Sequence, residues 1–204
     1  MSFAALAMNG VTLEPIVAYD NLVKPYDKSL YYDPRAMEVN GLSVAQCEKD
    51  GVPLKQLVED ICQVFREANI YNSKTARPII VGHNLEKFDK GFLIDIFRRA
   101  KIDLSTLVEG TNDPFGNFQP SVLDTISWNK AMTAELCDTD TKFKLASCCQ
   151  RASVDLTNAH NAAGDVAATA DLLRYMITRL RSGSGEVTVS DGVASVHRKN
   201  FEWK

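Results

Sequence analysis

The longest regular pattern of apolar residues predicts a helix late in the chain. Apolar side chains recur at spacings of four and three, one face of a helix, at Val166, Ala170, Leu173, Ile177 and Leu180. Thr157 or Asn158 can begin this helix. Asp165 then lies in its first turn, and His160 lies about one turn earlier in irregular chain, so the two side chains can converge on one point.

Two further segments have helical spacing, PLKQLVEDICQVFREA (53–68) and the run from Phe88 to Ala100. Short apolar runs, PIIVGHN (78–84) and SVLDTIS (121–127), are typical of buried strands. Two short helices are expected at about 128–136 and 142–151.

The chain opens with a predicted hairpin. The runs FAALAM (3–8) and VTLEPIVAYDNLVKP (11–25) flank Asn9-Gly10, a pair that favours a two-residue turn between antiparallel strands. The segment 26–41 is predicted to be a loop. Strands that alternate with helices after an initial hairpin indicate an α/β fold with a mixed sheet flanked by helices.

Length and composition favour a single globular domain over residues 1–180, since 45% of the 204 residues are hydrophobic and 24% are charged. After it, RSGSG (181–185) predicts a linker, and 181–204 forms either a small hairpin or a disordered tail. The five cysteines include no CxxC pair, which is typical of reduced thiols in a soluble cytoplasmic protein. No apolar run is long enough for a membrane helix.

The net charge of −3 argues against a protein that coats nucleic acid by bulk electrostatics, although a local basic rim is compatible with it. Five basic residues could form such a rim or simply be solvated: Lys87, Lys90, Arg98, Arg99 and Lys101.

Polar chemistry also collects after the strand at 78–84. Asn84 and Asp89 are expected at the junction between this strand and the next helix, where sites form in open α/β sheets. Phe88 beside them offers a flat surface on which a base can stack. The alternative is that Asp89 only caps its helix and Phe88 belongs to the core.

Five segments together resemble the DEDDh, or DnaQ-like, 3′-to-5′ exonucleases. They occur in the family's order: AMEVNGLS (36–43), GHNLEKFD (82–89), VLDTISW (122–128), KLASCC (144–149) and NAHNAAGDVAATADLL (158–173). The last contains the HxAxxD pattern of the family, formed by His160, Ala162 and Asp165.

This resemblance implies a ribonuclease H-like fold in which four acidic residues hold two divalent ions, Mg²⁺ or Mn²⁺. Asp89 matches the third acid, Asp165 the fourth, and His160 the general base that takes a proton from the attacking water. Asn84 and Phe88 are implied substrate contacts. The implied partners are single-stranded nucleic acid 3′ ends, DNA or RNA, and a polymerase or another replication or repair protein.

The family's first motif, Asp-x-Glu, does not occur in the 204 residues. We expect the first strand and its two acidic ligands upstream of a truncated chain, with FAALAM presenting an unpaired edge. The alternative is a catalytically inactive module with an exonuclease-like fold that binds nucleic acid or protein. Asp124, in VLDT, is expected to bond to nearby backbone rather than to act in catalysis.

Overall fold

A computed structural model describes residues 1–27, 31–70, 72–73, 76–133, 142–156, 161–183, 187–190 and 193–196. The strands are β1 (Ser2–Met8), β2 (Pro15–Leu22), β3 (Ile80–Gly82), β4 (Gly110–Asn112), β5 (Phe118–Pro120), β6 (Val122–Asp124), β7 (Val187–Ser190) and β8 (Val193–Val196). The helices are α1 (Pro34–Val39), α2 (Val44–Asp50), α3 (Leu54–Ala68), α4 (Asp89–Ala100), α5 (Thr125–Met132), α6 (Leu145–Ala152) and α7 (Ala162–Gly183).

The strands of the described residues form four hydrogen-bonded pairs. β1 pairs with β2 antiparallel, and β3 pairs with β6 parallel, with Ile80 opposite Val122. β4–β5 and β7–β8 are antiparallel hairpins. These pairings confirm the opening hairpin and the neighbouring strands in PIIVGHN and SVLDTIS. The β4–β5 hairpin had no counterpart among the predicted elements.

The connection between β1 and β2 is longer than the predicted two-residue turn. The Asn9 side chain accepts hydrogen bonds from the backbone N–H groups of Val11 (2.8 Å) and Thr12 (3.1 Å). Leu13 adopts a φ of 62°, whereas Gly10 keeps a negative φ. Because the Asn9 side chain stabilises a wider loop, the tight turn that Asn-Gly favours does not form.

The main core lies between the strands and helices α3 and α4. Its buried residues are Val23, Leu57, Val58, Ile61, Cys62, Leu93, Ile96, Phe97, Leu104 and Val108. Phe3 of β1 and Ile80 of β3 both pack against this cluster. A second, smaller cluster joins α6 and α7 through Cys148, Ala152, Leu172 and Met176. α7 also contacts β1 and α5, so that helices flank the strands on two sides.

Two arginines of α7 hold the β1–β2 connection. Arg174 Nε donates a hydrogen bond to the carbonyl oxygen of Leu13 (2.8 Å). Arg181 donates to the carbonyl oxygens of Val11 (2.7 Å) and Gly10 (2.9 Å). The last long helix is thereby tied to the first hairpin.

Several boundaries differ from the predicted ones. The predicted loop at 26–41 contains α1, which Asp33 caps by accepting a hydrogen bond from Arg35 N–H. α5 begins at Thr125 because Asp124 caps it, so the strand predicted for 121–127 ends three residues early. α7 continues to Gly183, into the predicted linker.

The described cysteines Cys47, Cys62, Cys148 and Cys149 are buried free thiols. Burial raises the pKa of the Cys149 thiol to about 11. None of the described helices combines the length and the apolar character that crossing a membrane requires.

Candidate functional site

The conformation of the turn after β3 depends on two residues, Gly82 and Asn84. Asn84 adopts a left-handed conformation (φ 64°), which asparagine tolerates better than most residues. A Cβ added at Gly82 would lie 2.9 Å from the Leu85 side chain, so the turn folds back tightly only with glycine at that position. This turn leads directly into α4 and sets the position of Asp89.

Asp124, at the end of β6, fixes the same turn. Its carboxylate accepts hydrogen bonds from the backbone N–H groups of Asn84 (3.1 Å), Glu86 (3.3 Å) and Ile126 (2.9 Å). The last of these caps α5, and the first two join the turn after β3 to the neighbouring strand. The prediction that Asp124 bonds to nearby backbone is therefore confirmed.

His83 directly follows β3 and was not among the predicted site residues. Its Nδ1 lies 2.8 Å from Thr125 Oγ1, and its Nε2 lies 2.9 Å from the carbonyl oxygen of Phe143. A carbonyl only accepts, so Nε2 carries a proton. Burial lowers the pKa of His83, against the raising effects of the Phe143 carbonyl, Asp124 and Asp165. The Thr125 hydroxyl also donates to the carbonyl oxygen of Gly82 (3.2 Å), and the lowered pKa favours the neutral form of the His83 ring.

Asp89 is the first residue of α4. The residue is solvent-exposed, yet protein atoms crowd its carboxyl group. Desolvation and then the charge of Asp124 raise its pKa, and its own backbone N–H acts in the opposite direction. The surrounding protein thus disfavours the charged form of Asp89. A cation bound nearby would stabilise that charged form.

Asp165 lies in the first turn of α7, as predicted. Asn161 begins this helix by accepting hydrogen bonds from the N–H groups of Ala163 (3.0 Å) and Gly164 (3.4 Å). The predicted cap residues Thr157 and Asn158 lie outside the described residues, and so does His160. The convergence of His160 with Asp165 remains a prediction.

The pKa values of Asp89 and His83 respond to neighbouring acidic side chains. Asp124 acts on Asp89 and on His83, and Asp165 also acts on His83. Asp89 is thus linked to Asp124, and Asp165 to His83, at the carboxyl ends of the neighbouring strands β6 and β3. The direct approach of the two carboxylates to one ion pair remains a prediction.

Phe88 precedes α4 and is 64% exposed, so it does not belong to the core. Phe92, one helical turn later, is also exposed. The alternative in which Phe88 serves as core packing is therefore wrong. Its ring is accessible to a ligand next to Asp89.

The predicted basic rim is largely engaged in ion pairs. Lys90 pairs with Glu86 (2.8 Å), and Arg99 pairs with Asp95 (2.7 Å) and Asp27 (2.6 Å). Arg98 also contacts Asp95. Three of the five basic residues are therefore paired with acidic side chains, on α4 itself, in the turn before it and at Asp27.

The described residues do not by themselves form a metal centre. Across the ranges that the structure covers, no group of three or more His, Cys, Asp or Glu side chains is arranged to hold a metal ion. Asp89 and Asp165 offer oxygen ligands of the type that Mg²⁺ and Mn²⁺ prefer. Two carboxylates do not balance two divalent ions, so a complete site requires further acidic ligands.

Comparisons with known proteins identify relatives of this chain. The RNase_T family model, described as "Exonuclease", matches residues 1–173. A ribonuclease T of Marinobacter nauticus is 26% identical over 152 residues, which are 74% of this chain and 60% of that protein.

Solved structures of exonuclease I have a similar fold. One has a TM-score of 0.67 at 21% identity and covers 87% of this chain and 36% of its own. Escherichia coli exonuclease I in complex with a dT13 oligonucleotide has a TM-score of 0.66 at 21% identity, covering 89% of this chain and 38% of its own. The chain thus spans 60% of the ribonuclease T and well under half of exonuclease I. Since the family model covers most of its length, this chain belongs to the RNase T family of exonucleases, which are DnaQ-like proteins with a ribonuclease H-like fold.

Proposed function

We propose that this chain is the larger part of a 3′-to-5′ exonuclease domain that releases nucleoside monophosphates from single-stranded nucleic acid. The observation that carries the proposal is that Asp124 interacts with Asp89 and with His83, and that Asp165 interacts with His83, at the ends of two neighbouring strands. Family membership supports it, and so does the oligonucleotide complex of exonuclease I.

Each site residue has a proposed role. Asp89 and Asp165 hold divalent ions, Mg²⁺ or Mn²⁺, which when bound lower the pKa of water and neutralise charge on the phosphate. His160 takes the proton from the water that attacks the terminal phosphodiester. The products are a nucleoside 5′-monophosphate and a strand with a new 3′-hydroxyl.

Phe88 and Asn84 are proposed substrate contacts. The exposed Phe88 ring stacks on an unpaired base close to the scissile phosphate, an interaction that is tolerant of sequence. Asn84 follows β3 in the turn that Asp124 holds, so its side chain is presented near the same region. We further propose that the two remaining acidic ligands belong to an Asp-x-Glu strand outside the 204 residues.

The test compares residues 1–204 with a version that has an Asp-x-Glu strand joined ahead of Met1. The assay is the release of mononucleotides from an end-labelled single strand with Mg²⁺ or Mn²⁺, and chelator is the control. We expect negligible release from the shorter chain and trimming by the longer one. Asp89→Ala and Asp165→Ala should each abolish trimming, and His160→Ala should lower the rate by ~10²–10⁴-fold.

A variant of Phe88 tests substrate binding separately from the metal-dependent cleavage step. Phe88→Ala should weaken binding of the single strand by ~1–3 kcal/mol, the usual value of one stacked base, and leave the metal requirement unchanged. Robust trimming by residues 1–204 alone would show that the ligands are misassigned.

The second candidate, an inactive binding module, is favoured by the lack of Asp-x-Glu in these residues. It predicts binding of single-stranded nucleic acid without trimming, even in the longer version.

A further inference from the structure

Four basic residues lie on or beside the ring of Phe143, between α5 and α6. Lys130 Nζ lies 5.4 Å from the ring centroid, and the guanidinium carbon of Arg151 lies 5.2 Å from it, both within the range of a cation–π contact. Lys142 and Lys144 flank Phe143 in the chain, and all four basic residues are exposed. We refer to Lys130, Lys142, Lys144 and Arg151 as the Phe143 basic patch.

The charges of the Phe143 basic patch are not neutralised by acidic side chains within the described ranges. The ion pairs found there belong to other basic residues, which are Lys55, Lys90, Arg98, Arg99 and Arg174. Most of the basic residues of α4 are thus paired, whereas those around Phe143 are not. In a chain of net charge −3, the patch is therefore a local region of positive charge.

Arg151 is held in a fixed orientation. Its Nη1 donates to the carbonyl oxygen of Lys142 (2.8 Å), and its Nη2 donates to Asn129 Oδ1 (2.8 Å) and to Cys148 Sγ (3.3 Å). Asn129 and Cys148 are buried, so they anchor one side of the guanidinium. The Nε–H and the second Nη1 hydrogen have no acceptor in the part of the chain that the structure describes, so both can donate to a ligand. A cation that is already oriented loses little conformational entropy on binding.

The Phe143 basic patch adjoins the candidate site. The Phe143 carbonyl accepts the hydrogen bond from His83 Nε2 (2.9 Å), and His83 directly follows β3. Asp124 and Asp165 act on His83 from the candidate site. Because these carboxylates repel a polyanion, a nucleic acid strand that reaches them requires positive charge close by. The patch supplies positive charge at the border of the site.

We propose that the Phe143 basic patch binds backbone phosphates of a single-stranded nucleic acid whose 3′ end lies at the candidate site. The identity of the strand rests on the proposed function, whereas the position of the patch rests on the cation–π contacts and the hydrogen bond of Phe143. Phosphate contacts carry no sequence information, so the patch holds a single strand of any sequence. Its four basic residues position the strand and do not act in cleavage.

The experiment measures binding of a fluorescein-labelled oligothymidylate to the full chain by anisotropy, with chelator present, over a range of salt concentrations. Lys130→Gln together with Lys142→Gln removes two charges of the patch and leaves the buried partners of Arg151 in place. Lys130→Arg together with Lys142→Arg keeps both charges. Lys49→Gln together with Lys55→Gln is the matched control, because these exposed lysines of α2 and α3 lie outside the patch and their loss changes the net charge equally.

The salt dependence of binding should report the lost phosphate contacts. For a single strand, each contact contributes a slope of about −0.7 to a plot of the logarithm of the binding constant against the logarithm of the salt concentration. The glutamine variant of Lys130 and Lys142 should therefore flatten the slope by about 1.4, which weakens binding ~25-fold at 0.1 M salt and leaves it unchanged near 1 M. The arginine variant and the control should bind as the unaltered chain does. An unchanged slope in the glutamine variant, or equal flattening in the control, would overturn the proposal.

Three other outcomes are distinguished by further measurements. Competition by poly-L-glutamate as strong as that by unlabelled oligothymidylate would show that the patch takes any polyanion, and would overturn the proposal. Failure of the unaltered chain to bind the strand would also overturn it. The trimming assay on the version with an Asp-x-Glu strand tests the exonuclease separately. Trimming with an unchanged slope would support the exonuclease and contradict the patch, whereas a flattened slope without trimming would support the patch and contradict the exonuclease.

Discussion

The Asp124 carboxylate accepts a hydrogen bond from the backbone N–H of Asn84 at 3.1 Å, which joins the end of β6 to the turn after β3. The same carboxylate caps α5 through Ile126 N–H. One side chain therefore fixes the two segments from which the candidate site is built.

Asp124→Ala should lower the free energy of unfolding by about 2–3 kcal/mol, because it removes a helix cap and leaves other N–H groups without their acceptor. Asp33→Ala is the matched control, since Asp33 caps only the short exposed helix α1. Asp33→Ala should lower the free energy of unfolding by about 1 kcal/mol or less. Urea denaturation of both variants measures the difference, and equal losses would contradict the bridging role of Asp124.

His83 should make stability depend on pH near neutrality. Burial lowers its pKa in the folded chain, so the unfolded chain takes up the proton at higher pH. The stabilisation from neutral His83 is present above its ordinary pKa of 6.5 and is lost as the pH falls through the lower pKa of the folded state. His83→Gln should flatten the unfolding free energy between pH 5 and pH 7.5, roughly the window around the ordinary value. Parallel pH curves for the two proteins would rule out a buried neutral His83.

Asp89→Asn should stabilise the chain at pH 7, in the absence of divalent ions. The raised pKa of Asp89 means that its charged form is less favourable in the folded chain than in the unfolded one. The gain should shrink as the pH falls through the raised pKa of the folded chain and should vanish below the ordinary value of 3.8, where both states are protonated. Asp113→Asn is the opposite control, because hydrogen bonds from Asn117 lower the pKa of Asp113. Thermal melts at pH 7 and pH 3 measure the effect. A lower melting temperature for Asp89→Asn at both pH values would refute the prediction.

Gly82→Ala should destabilise the turn that carries Asn84, since the added Cβ would lie 2.9 Å from Leu85. Gly91→Ala in α4 meets no atom within 4 Å and should raise stability by up to about 1 kcal/mol, the helix preference of alanine over glycine. Chemical denaturation of both variants gives the comparison. A stabilising Gly82→Ala would show that the turn is looser than described.

Elements with long apolar periods were predictable from the sequence. α3 and α4 occur where PLKQLVEDICQVFREA and Phe88–Ala100 place them, because burial of one helical face depends on side-chain spacing alone. Short elements were not predictable in the same way. α1 contains no buried residue, and its position is marked by the cap of Asp33 rather than by an apolar stripe.

The candidate site was predictable only in part. Asp89, Asp165 and Asp124 were identified from the segments that contain them, whereas His83 was missed although it lies within the predicted strand PIIVGHN. Its role depends on Thr125 and on Phe143, which is 60 residues away, and no local pattern reports such a contact. The Asn9-Gly10 turn was mispredicted because a side-chain hydrogen bond outweighed the backbone preference.

The hydrogen bonds from Arg174 and Arg181 to the first hairpin affect the order in which the chain folds. These contacts join residues 161 to 171 positions apart, so they close only after nearly the whole chain has been synthesised. During translation the apolar strand β1 is exposed until α7, which contacts it, has been synthesised. In that interval β1 can associate with other chains. In a chain that ends before Arg174, β1 would stay exposed permanently. Such a truncated product should be recovered bound to chaperones or in aggregates.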